Sequence, residues 1–515
     1  MQLKGRRFEP TTEPPRLTAG RTAVYTAAIL ICLGIFKLLD NGTIRSPFAP
    51  PPTPTRMAMS YAEEGKAFFD AGILEKAITA YQKAVGVDSN DLQNPEWCTF
   101  GRSTEAPTPQ VPTETPSSLF STGTPSSPAS SIATPSLTLT VTPSPQVWSG
   151  TPDPQLQSEP SDPQLWAELA RILAYSSELQ LSADEKRIRL EQAVCSVTIA
   201  LNINPDYAFG HAIKVLVLDW YANSEWMDAE TREETLNKAY QASAQALALD
   251  SGSALALAFK AEVLIDQGNW SAALDVGAQA AQLGPEIMDV HRAYAYVLES
   301  NGYYTRAIEE YQAAILLNPN LPFLYIRLGA NYRKLGETAT DTATRDLNID
   351  KALEAFARAA DLNPNDPIPY LSIAQTESNQ GNFFDAELYA RKALSLDNTD
   401  AYLYGRLGVI YYKAKNYETA IKVLRCAIRG CTAADNEAQG VDVIEILPLK
   451  ANSVDVYYTY GSVMAFYGKD TPANCVEAAS IFAELRASPY FDETVDTIIR
   501  EGEVLCAAYT RAPTP

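Results

Sequence analysis

Histidine is almost absent from this chain, whose 515 residues contain only His211 and His291. Neither belongs to an H-E-x-x-H pattern, and the sequence contains no G-x-S-x-G and no G-x-G-x-x-G. The seven cysteines include no C-x-x-C pair, so the usual zinc-binding and thioredoxin-like arrangements are missing. We therefore predict that the chain is not an enzyme and that it uses no metal and no cofactor.

Basic residues are also in deficit. The chain has 41 Lys and Arg against 62 Asp and Glu, which gives a formal net charge of −21. Nucleic-acid phosphates attract Lys and Arg, so this balance argues against a nucleic-acid partner. We interpret the excess acid as a solvated exterior, and a basic partner attracted by the field is the alternative.

Long apolar runs are missing except for one near the N-terminus, at residues 23–36. A helix over residues 22–39 would be about 27 Å long at about 1.5 Å per residue. That length spans a bilayer if the Lys37 side chain reaches the interface. We predict an uncleaved transmembrane signal anchor at 22–39, with a cleaved signal peptide as the alternative.

Basic residues before this run predict its orientation. They outnumber Lys37 and Arg45, which follow the run. They are Lys4, Arg6, Arg7, Arg16 and Arg21. By the positive-inside rule, residues 1–21 form a short cytoplasmic tail and the rest of the chain is extracytoplasmic. We therefore expect a single-pass protein of the cell membrane, and the composition favours a bacterial source.

Large apolar residues are scarce in two further stretches. Residues 40–57 are rich in proline and predict a stiff, extended linker. Residues 92–160 are rich in Pro, Thr and Ser and predict a disordered, low-complexity tract. A wall-spanning or O-glycosylated stalk and a plain spacer both fit this tract.

A repeat of about 34 residues is the main positive feature of the sequence. Pro285 ends one copy and Pro319 ends the next, and 319 − 285 = 34. Within residues 288–319, small and large apolar residues recur at helical spacing, and Gly302 interrupts them as a glycine at a helix C-terminus does. The unit is predicted to be two helices joined by a turn. Such a pair must stack on its neighbours to bury its apolar face, so we predict an all-α solenoid.

The repeated positions resemble the tetratricopeptide repeat. One copy matches at Leu328, Gly329, Tyr332, Gly336, Ala352, Phe356, Ala359 and Pro364, and another at Tyr404, Leu407, Gly408, Tyr411, Ala420 and Ala427. We count about nine copies, the first at 58–91 and about eight at 161–490. The resemblance implies a superhelix of antiparallel helix pairs. Several copies carry insertions, which we expect to form loops along one edge.

The sequence also predicts the structure of the two ends of the solenoid. Residues 491–515 are predicted to form a capping helix and tail, with Ile498, Ile499 and Val504 facing inward. The first copy stands alone before the Pro/Thr/Ser tract, and one helix pair buries too little surface to be stable. We expect it to dock onto the copy that begins near Trp166, and a separate small module is the alternative.

Six cysteines lie outside the predicted span, an even number in a compartment that permits disulfides. Cys426 with Cys431 and Cys475 with Cys506 are the candidate pairs. Buried thiols that pack as small hydrophobic residues are an equally good alternative.

The resemblance also implies where a partner binds. In that family the second, fifth, ninth and twelfth positions of each first helix line the concave face. Here those positions hold Phe323, Ile326, Arg333, Leu371, Gln375, Tyr402, Val409 and Tyr412. An apolar and aromatic groove fits a peptide or a helix. If the register is shifted by one residue, these side chains belong to the core instead.

The neighbouring copy offers a more polar stretch at these positions, namely Asp289, Arg292, Tyr296 and Glu299. His291 stands where a packing aromatic is usual, so we predict a structural role for it. Together these features predict a membrane-anchored, exported scaffold that mediates protein–protein interaction. The alternative is a glycan- or lipid-binding or regulatory subunit of a complex that processes or assembles the cell envelope.

Overall fold

Helices form most of the described chain. The computed structural model describes residues 57–87, 162–180, 182–469 and 471–510, and these ranges contain nineteen α-helices and no strand. The helices are α1 Ala58–Asp70, α2 Leu74–Val85, α3 Pro163–Ser177, α4 Ala183–Ile203, α5 Ala208–Ala222, α6 Ala229–Leu249, α7 Ala254–Asp266, α8 Trp270–Leu283, α9 Met288–Ser300, α10 Tyr304–Leu317, α11 Pro322–Thr338, α12 Thr342–Leu362, α13 Pro367–Gln380, α14 Phe383–Leu396, α15 Ala401–Lys413, α16 Tyr417–Arg429, α17 Val454–Phe466, α18 Pro472–Ala487 and α19 Glu493–Thr510.

Consecutive helices pack two by two, from pair 1 (α1 and α2) to pair 9 (α17 and α18), with α19 last. Every pair packs against the next, because the second helix of each pair contacts the first helix of the following one. The predicted all-α solenoid is confirmed. Its apolar core has one large cluster that spans pairs 1 to 6 and reaches Ile373 of pair 7, and a second over pairs 7 to 9 and α19. A small third cluster consists of Ala212, Ala246 and Ala256.

The predicted membrane helix at 22–39 lies outside the described residues, as do the cytoplasmic tail at 1–21 and almost all of the two linkers. Residues 1–57 and 58–515 are separate units, and all nineteen helices belong to the second. Among the described helices, none combines the length and the apolar character that a bilayer crossing requires.

Short polar side chains and glycines set the helix ends. The Asp228 carboxylate accepts hydrogen bonds from the backbone N–H groups of Glu230 and Thr231 and so caps α6. Gly302, which follows α9, has a φ of 79° that L side chains rarely adopt. The chain therefore turns after α9 where the sequence predicts the end of a helix.

The insertions do not form the predicted edge loops. In pair 6 the inserted residues lengthen both helices, so that α11 has 17 residues and α12 has 21. The second helices of pairs 2 and 3 also have 21 residues. Asp341 explains the outcome in pair 6, because its carboxylate accepts from the Thr344 N–H at 2.8 Å and starts α12 within the insertion.

Pair 1 packs onto the rest of the solenoid, as the area argument predicts. The Phe69 ring lies 6.1 Å from the Tyr175 ring of pair 2, and the Arg171 guanidinium lies 4.6 Å from Phe69. Asn318, in the turn after pair 5, donates from Nδ2 to the Phe69 carbonyl at 2.9 Å. Pair 1 therefore contacts two places that are far apart in the sequence.

The predicted inward face of the last helix is only partly correct. Val495 and Ile499 are buried, and Ile498 is half-buried. Val504 is 69% exposed, so its predicted inward position is wrong. Gly502 lies on the inner side instead, where it approaches the Phe482 ring of α18. The helical turn that places Ile499 and Gly502 inward leaves Val504 on the solvent side.

Two disulfides join the predicted cysteine pairs. Cys426 is bonded to Cys431, and Cys475 of α18 is bonded to Cys506 of α19. Cys195 is disulfide-bonded as well. The alternative in which these pairs remain free thiols is therefore wrong.

Candidate peptide-binding groove

A groove of about 670 Å³ runs along the first helices of pairs 5 to 9, α9, α11, α13, α15 and α17. We call it the inner groove. Four of the predicted site residues line it, one or two from each of three consecutive first helices. They are Arg333, Gln375, Val409 and Tyr412. All four are half-buried, so each keeps part of its side chain open to solvent.

The other predicted site residues lie elsewhere. Leu371 is buried at 4% exposure in the core, so for this position the core alternative holds. Phe323 stacks on Tyr175 of pair 2 with a centroid distance of 5.5 Å. Ile326 is half-buried outside the groove, and Tyr402 lies beside it under the Arg406 guanidinium at 5.4 Å.

Arg333 is the least satisfied cation of the groove. Its Nη1 donates only long hydrogen bonds, at 3.4 Å, to the Ser372 carbonyl and to Gln375 Oε1. No carboxylate of the described chain lies within salt-bridge distance of its guanidinium. Burial lowers the pKa of Arg333, and the charge of Glu337 only partly offsets this. An anion placed in the groove would supply the missing partner.

Two further cations of the groove, Arg406 and Lys413, also have unused hydrogen-bond donors. Arg406 donates from Nη2 to Asp455 at 2.5 Å, while its buried Nε has no hydrogen-bond partner among the described residues. Lys413 donates from Nζ to Asn379 at 3.0 Å and forms no salt bridge with a described residue. The groove therefore carries cations with unused donors, in a protein whose net charge is strongly negative. The carboxylates that line it, Glu299, Glu337 and Asp455, are already hydrogen-bonded to other residues of the chain.

Four aromatic side chains form a cluster at the C-terminal end of the groove. Tyr412 lies 5.6 Å from Tyr417, which lies 5.5 Å from Phe466 and 6.3 Å from Tyr467. Phe466 is 46% exposed, and a second cavity of about 250 Å³ begins beside it. Amphipathic rings at a half-open edge are typical of protein-binding and sugar-binding surfaces.

The same face is closed over the first half of the solenoid. Asp289 and Arg292, which the sequence places on the concave face, are 1% and 6% exposed. Arg292 donates two hydrogen bonds to the Glu262 carboxylate, at 2.6 and 2.7 Å. Asp289 and Arg292 of the polar stretch are therefore part of the protein's own interior, whereas Glu299, at the end of α9, lines the inner groove.

Sequence reasoning missed Arg406, Lys413, Asp455 and Tyr458, which line the inner groove. Arg406 and Lys413 lie on α15, within one helical turn of the predicted positions. The sequence therefore predicted the right helix but not the direction of these two side chains. Asp455 and Tyr458 lie on α17, whose repeat was interrupted in the sequence and was not numbered position by position. Counted from Val454, the first residue of α17, they occupy the second and fifth positions, which are two of the groove-lining positions.

The repeats match a known family and several known proteins in sequence. A tetratricopeptide repeat profile matches residues 260–322 and 371–436. The photosystem I assembly protein Ycf3 of Prochlorococcus marinus strain MIT 9312 is 30% identical over 122 residues, which are 22% of this chain and 69% of that protein. The chain belongs to the tetratricopeptide repeat family, as its repeated residues predict.

A TPR repeat-containing protein of Methanocaldococcus jannaschii is 28% identical over 123 residues, or 24% of this chain. The match spans 21% of that relative, about a fifth of its length. Among solved structures, human IFIT1 as a dimer with PPP-AAAA has a TM-score of 0.47 and 14% identity, with 68% of this chain and 73% of that chain covered. A thermophilic TPR protein of Thermus thermophilus has a TM-score of 0.32 and 18% identity, with 41% of this chain and 98% of that chain covered.

Proposed function

We propose that the chain is a non-enzymatic scaffold that binds a segment of a partner protein in the inner groove. Tetratricopeptide repeat proteins generally mediate protein–protein interactions. The observation that carries the proposal is the open groove itself, which is continuous over five first helices and ends in the aromatic cluster. An extended or helical segment can lie along such a surface with its apolar side chains against Val409 and Tyr412.

The charges of the groove favour a segment that carries carboxylates. Arg333 lacks an anionic partner among the described residues, and Arg406 and Lys413 retain unused donors. A carboxylate that replaces the long contacts of Arg333 would gain a charge-assisted hydrogen bond in a half-buried site. The preferred partner therefore has Asp, Glu or a free C-terminus next to apolar residues.

Anchoring and export belong to the same proposal. The basic residues before the apolar run at 23–36 support an N-terminal anchor helix at 22–39 with the cytoplasmic tail at 1–21. The disulfides Cys426–Cys431 and Cys475–Cys506 support an oxidising compartment for the repeats. Protease protection of the repeats in sealed membrane vesicles, before and after lysis, tests the orientation.

The first experiment is capture from membranes with the full chain as bait, followed by crosslinking and mass spectrometry. The full chain is needed because pair 1 is part of the packed solenoid. Tyr412→Ala should weaken binding of the captured partner's peptide by about 1–3 kcal/mol and leave the melting temperature nearly unchanged. Phe384→Ala, which removes an aromatic ring that is 82% exposed on α14, is the matched control and should leave binding unchanged.

Unfolding of the Tyr412→Ala variant would show that Tyr412 belongs to the core, and the groove proposal would then fail. The alternative function, binding of glycan or lipid, is favoured by the aromatic cluster, because half-open rings stack on sugars. Retention on cell-wall or lipid fractions without any enriched protein would support that alternative.

A further inference from the structure

A further cavity, of about 320 Å³, lies in the closed half of the solenoid. We call it the acidic cavity. Its walls include the carboxyl groups of Asp219 and Asp266 and the aromatic rings of Trp220, Tyr296, Tyr311 and Phe323. Residues of pairs 2 to 6 line it, so it exists only because these repeats close around a common interior. It is separate from the inner groove, with which it shares no lining residue.

Most charges around this cavity are already paired. Arg292 binds Glu262 through two hydrogen bonds, Lys186 pairs with Glu178 at 2.7 Å, and Arg327 pairs with Glu299 at 3.2 Å. These pairs use the three cations that line the cavity. Two carboxyl groups, those of Asp219 and Asp266, are left without a close cationic partner among the described residues.

Asp266 receives hydrogen bonds from the Tyr296 hydroxyl at 3.0 Å and from Asn223 Nδ2 at 2.9 Å, and its carboxyl group also shares a hydrogen bond with that of Asp219. Burial raises the pKa of both carboxyl groups. The nearest guanidinium nitrogen, on Arg232, is 4.0 Å away. Asp219 is 3% exposed, and its Oδ1 accepts no hydrogen bond from any described residue. A buried carboxyl oxygen without a donor is costly, and here it lines an open cavity.

We propose that the acidic cavity binds a small alkylammonium ion, with the carboxyl groups of Asp219 and Asp266 as its two acceptors. An ammonium group has three donors, enough to reach the free oxygen of Asp219 and a second oxygen on Asp266. Aromatic walls stabilise a cation and also accommodate its alkyl chain. No group of three His, Cys, Asp or Glu side chains in the described ranges is arranged to hold a metal ion, so an organic cation fits the site better.

Calorimetric titration of the full chain with 1,4-diaminobutane and n-butylamine tests the proposal. Both amines should bind, whereas n-butanol and butyrate should not. A primary amine can come from a free metabolite or from a lysine side chain, and Nα-acetyl-lysine-N-methylamide separates these sources. Binding of the simple amines alone indicates a free amine, and binding of the capped lysine indicates a partner protein that inserts a lysine.

Asp219→Asn keeps the shape of the side chain but cannot carry a negative charge beside a bound cation, so it should weaken amine binding at least tenfold. Asp275→Asn, on α8 outside the cavity, is the matched control and should bind as the unaltered protein does. If the Asp219→Asn variant binds the amines as tightly as the unaltered protein does, the proposal is wrong. Because that variant could fail to fold, the selectivity of the unaltered protein is an independent test: if n-butanol binds as tightly as n-butylamine, or no amine binds, the proposal is wrong.

Discussion

In several repeats the fourth residue of the first helix is a histidine or a tyrosine, and its side chain makes the same contact in each. Each of these side chains donates a hydrogen bond to the carbonyl six residues earlier, in the corner between repeats. The pairs are His211 with Pro205 at 2.7 Å, His291 with Pro285 at 2.9 Å, Tyr325 with Pro319 at 2.9 Å and Tyr404 with Asn398 at 2.9 Å. Both histidines therefore take the place of a packing aromatic, which is the structural role predicted for His291.

The surroundings of the two histidines shift their pKa values in opposite directions. Nδ1 of His291 donates to the Glu310 carboxylate at 2.6 Å, and this hydrogen bond raises the pKa of His291. Burial lowers the pKa of His211, whose Nδ1 has no partner in the described structure. The surroundings thus favour the cation at His291 and the neutral ring at His211.

The pH dependence of stability tests this assignment. Because the folded pKa of His291 is raised, its pairing with Glu310 stabilises the protein fully below the ordinary pKa of about 6.5 and is lost as the pH rises through the raised value. Glu310→Gln should therefore lower the free energy of unfolding at about pH 5.5 by up to about 1 kcal/mol, and by much less at about pH 9. Urea unfolding at the two pH values measures the difference. An equal loss at both values would contradict the assignment.

At the scale of the helix pair, a glycine in the first helix repeatedly faces a large side chain of the second. This occurs at Gly65 with Tyr81, Gly329 with Phe356, Gly408 with Leu424 and Gly461 with Phe482. A Cβ at any of these positions would come within 2.6 Å of the facing side chain. The glycine sets how closely the two helices approach and leaves room for the large residue to fill the core.

Gly408→Val should destabilise the protein by about 1–3 kcal/mol, because its Cβ alone would lie 2.5 Å from the Leu424 side chain and the helices would have to separate. The free energy of unfolding from urea titration measures the effect. Gly252→Val is the control, since a Cβ there meets only Asp250 Oδ1 at 3.5 Å. A loss of similar size at Gly252 would show that backbone effects, and not helix approach, cause the destabilisation.

At the scale of the whole solenoid, pair 1 makes a contact with a repeat that is not its neighbour in the sequence. Nearest neighbours alone would place pair 1 against pair 2 only. Here Phe69 also approaches the turn after pair 5, where Asn318 donates to its carbonyl. Tyr175 of pair 2 and Phe323 of pair 6 stack in the same region. The repeats 1 to 6 therefore share one interior, with the acidic cavity inside it.

Phe69→Ala should lower the free energy of unfolding of the full chain by about 3–5 kcal/mol, because Phe69 is 5% exposed and packs between Tyr175 and Arg171. Guanidinium unfolding followed by circular dichroism measures the loss. Phe384→Ala, with a ring that is 82% exposed, should change the stability by no more than about 0.5 kcal/mol. A small loss for Phe69→Ala would mean that pair 1 contributes little to the closed half.

The repeat spacing was enough to predict the helices and the corners between them. Pro285 and Pro319, 34 residues apart, end two copies. The pairing of Gly408 with a large partner follows from the same local pattern. These features depend on contacts within one repeat or between neighbours, and such contacts are encoded in residues close together in the sequence.

The repeat spacing did not predict whether equivalent positions in different repeats are buried or open to solvent. Tyr412 and Asp219 both occupy the twelfth position of a first helix, yet Tyr412 is half-buried in the inner groove and Asp219 is 3% exposed beside the acidic cavity. The tertiary structure decides between them, because Phe323 reaches Tyr175 across 148 positions of sequence and closes the interior over the first half. Sequence periodicity determined the solenoid, whereas long-range packing, which local spacing does not encode, determined which part of its inner face stays open.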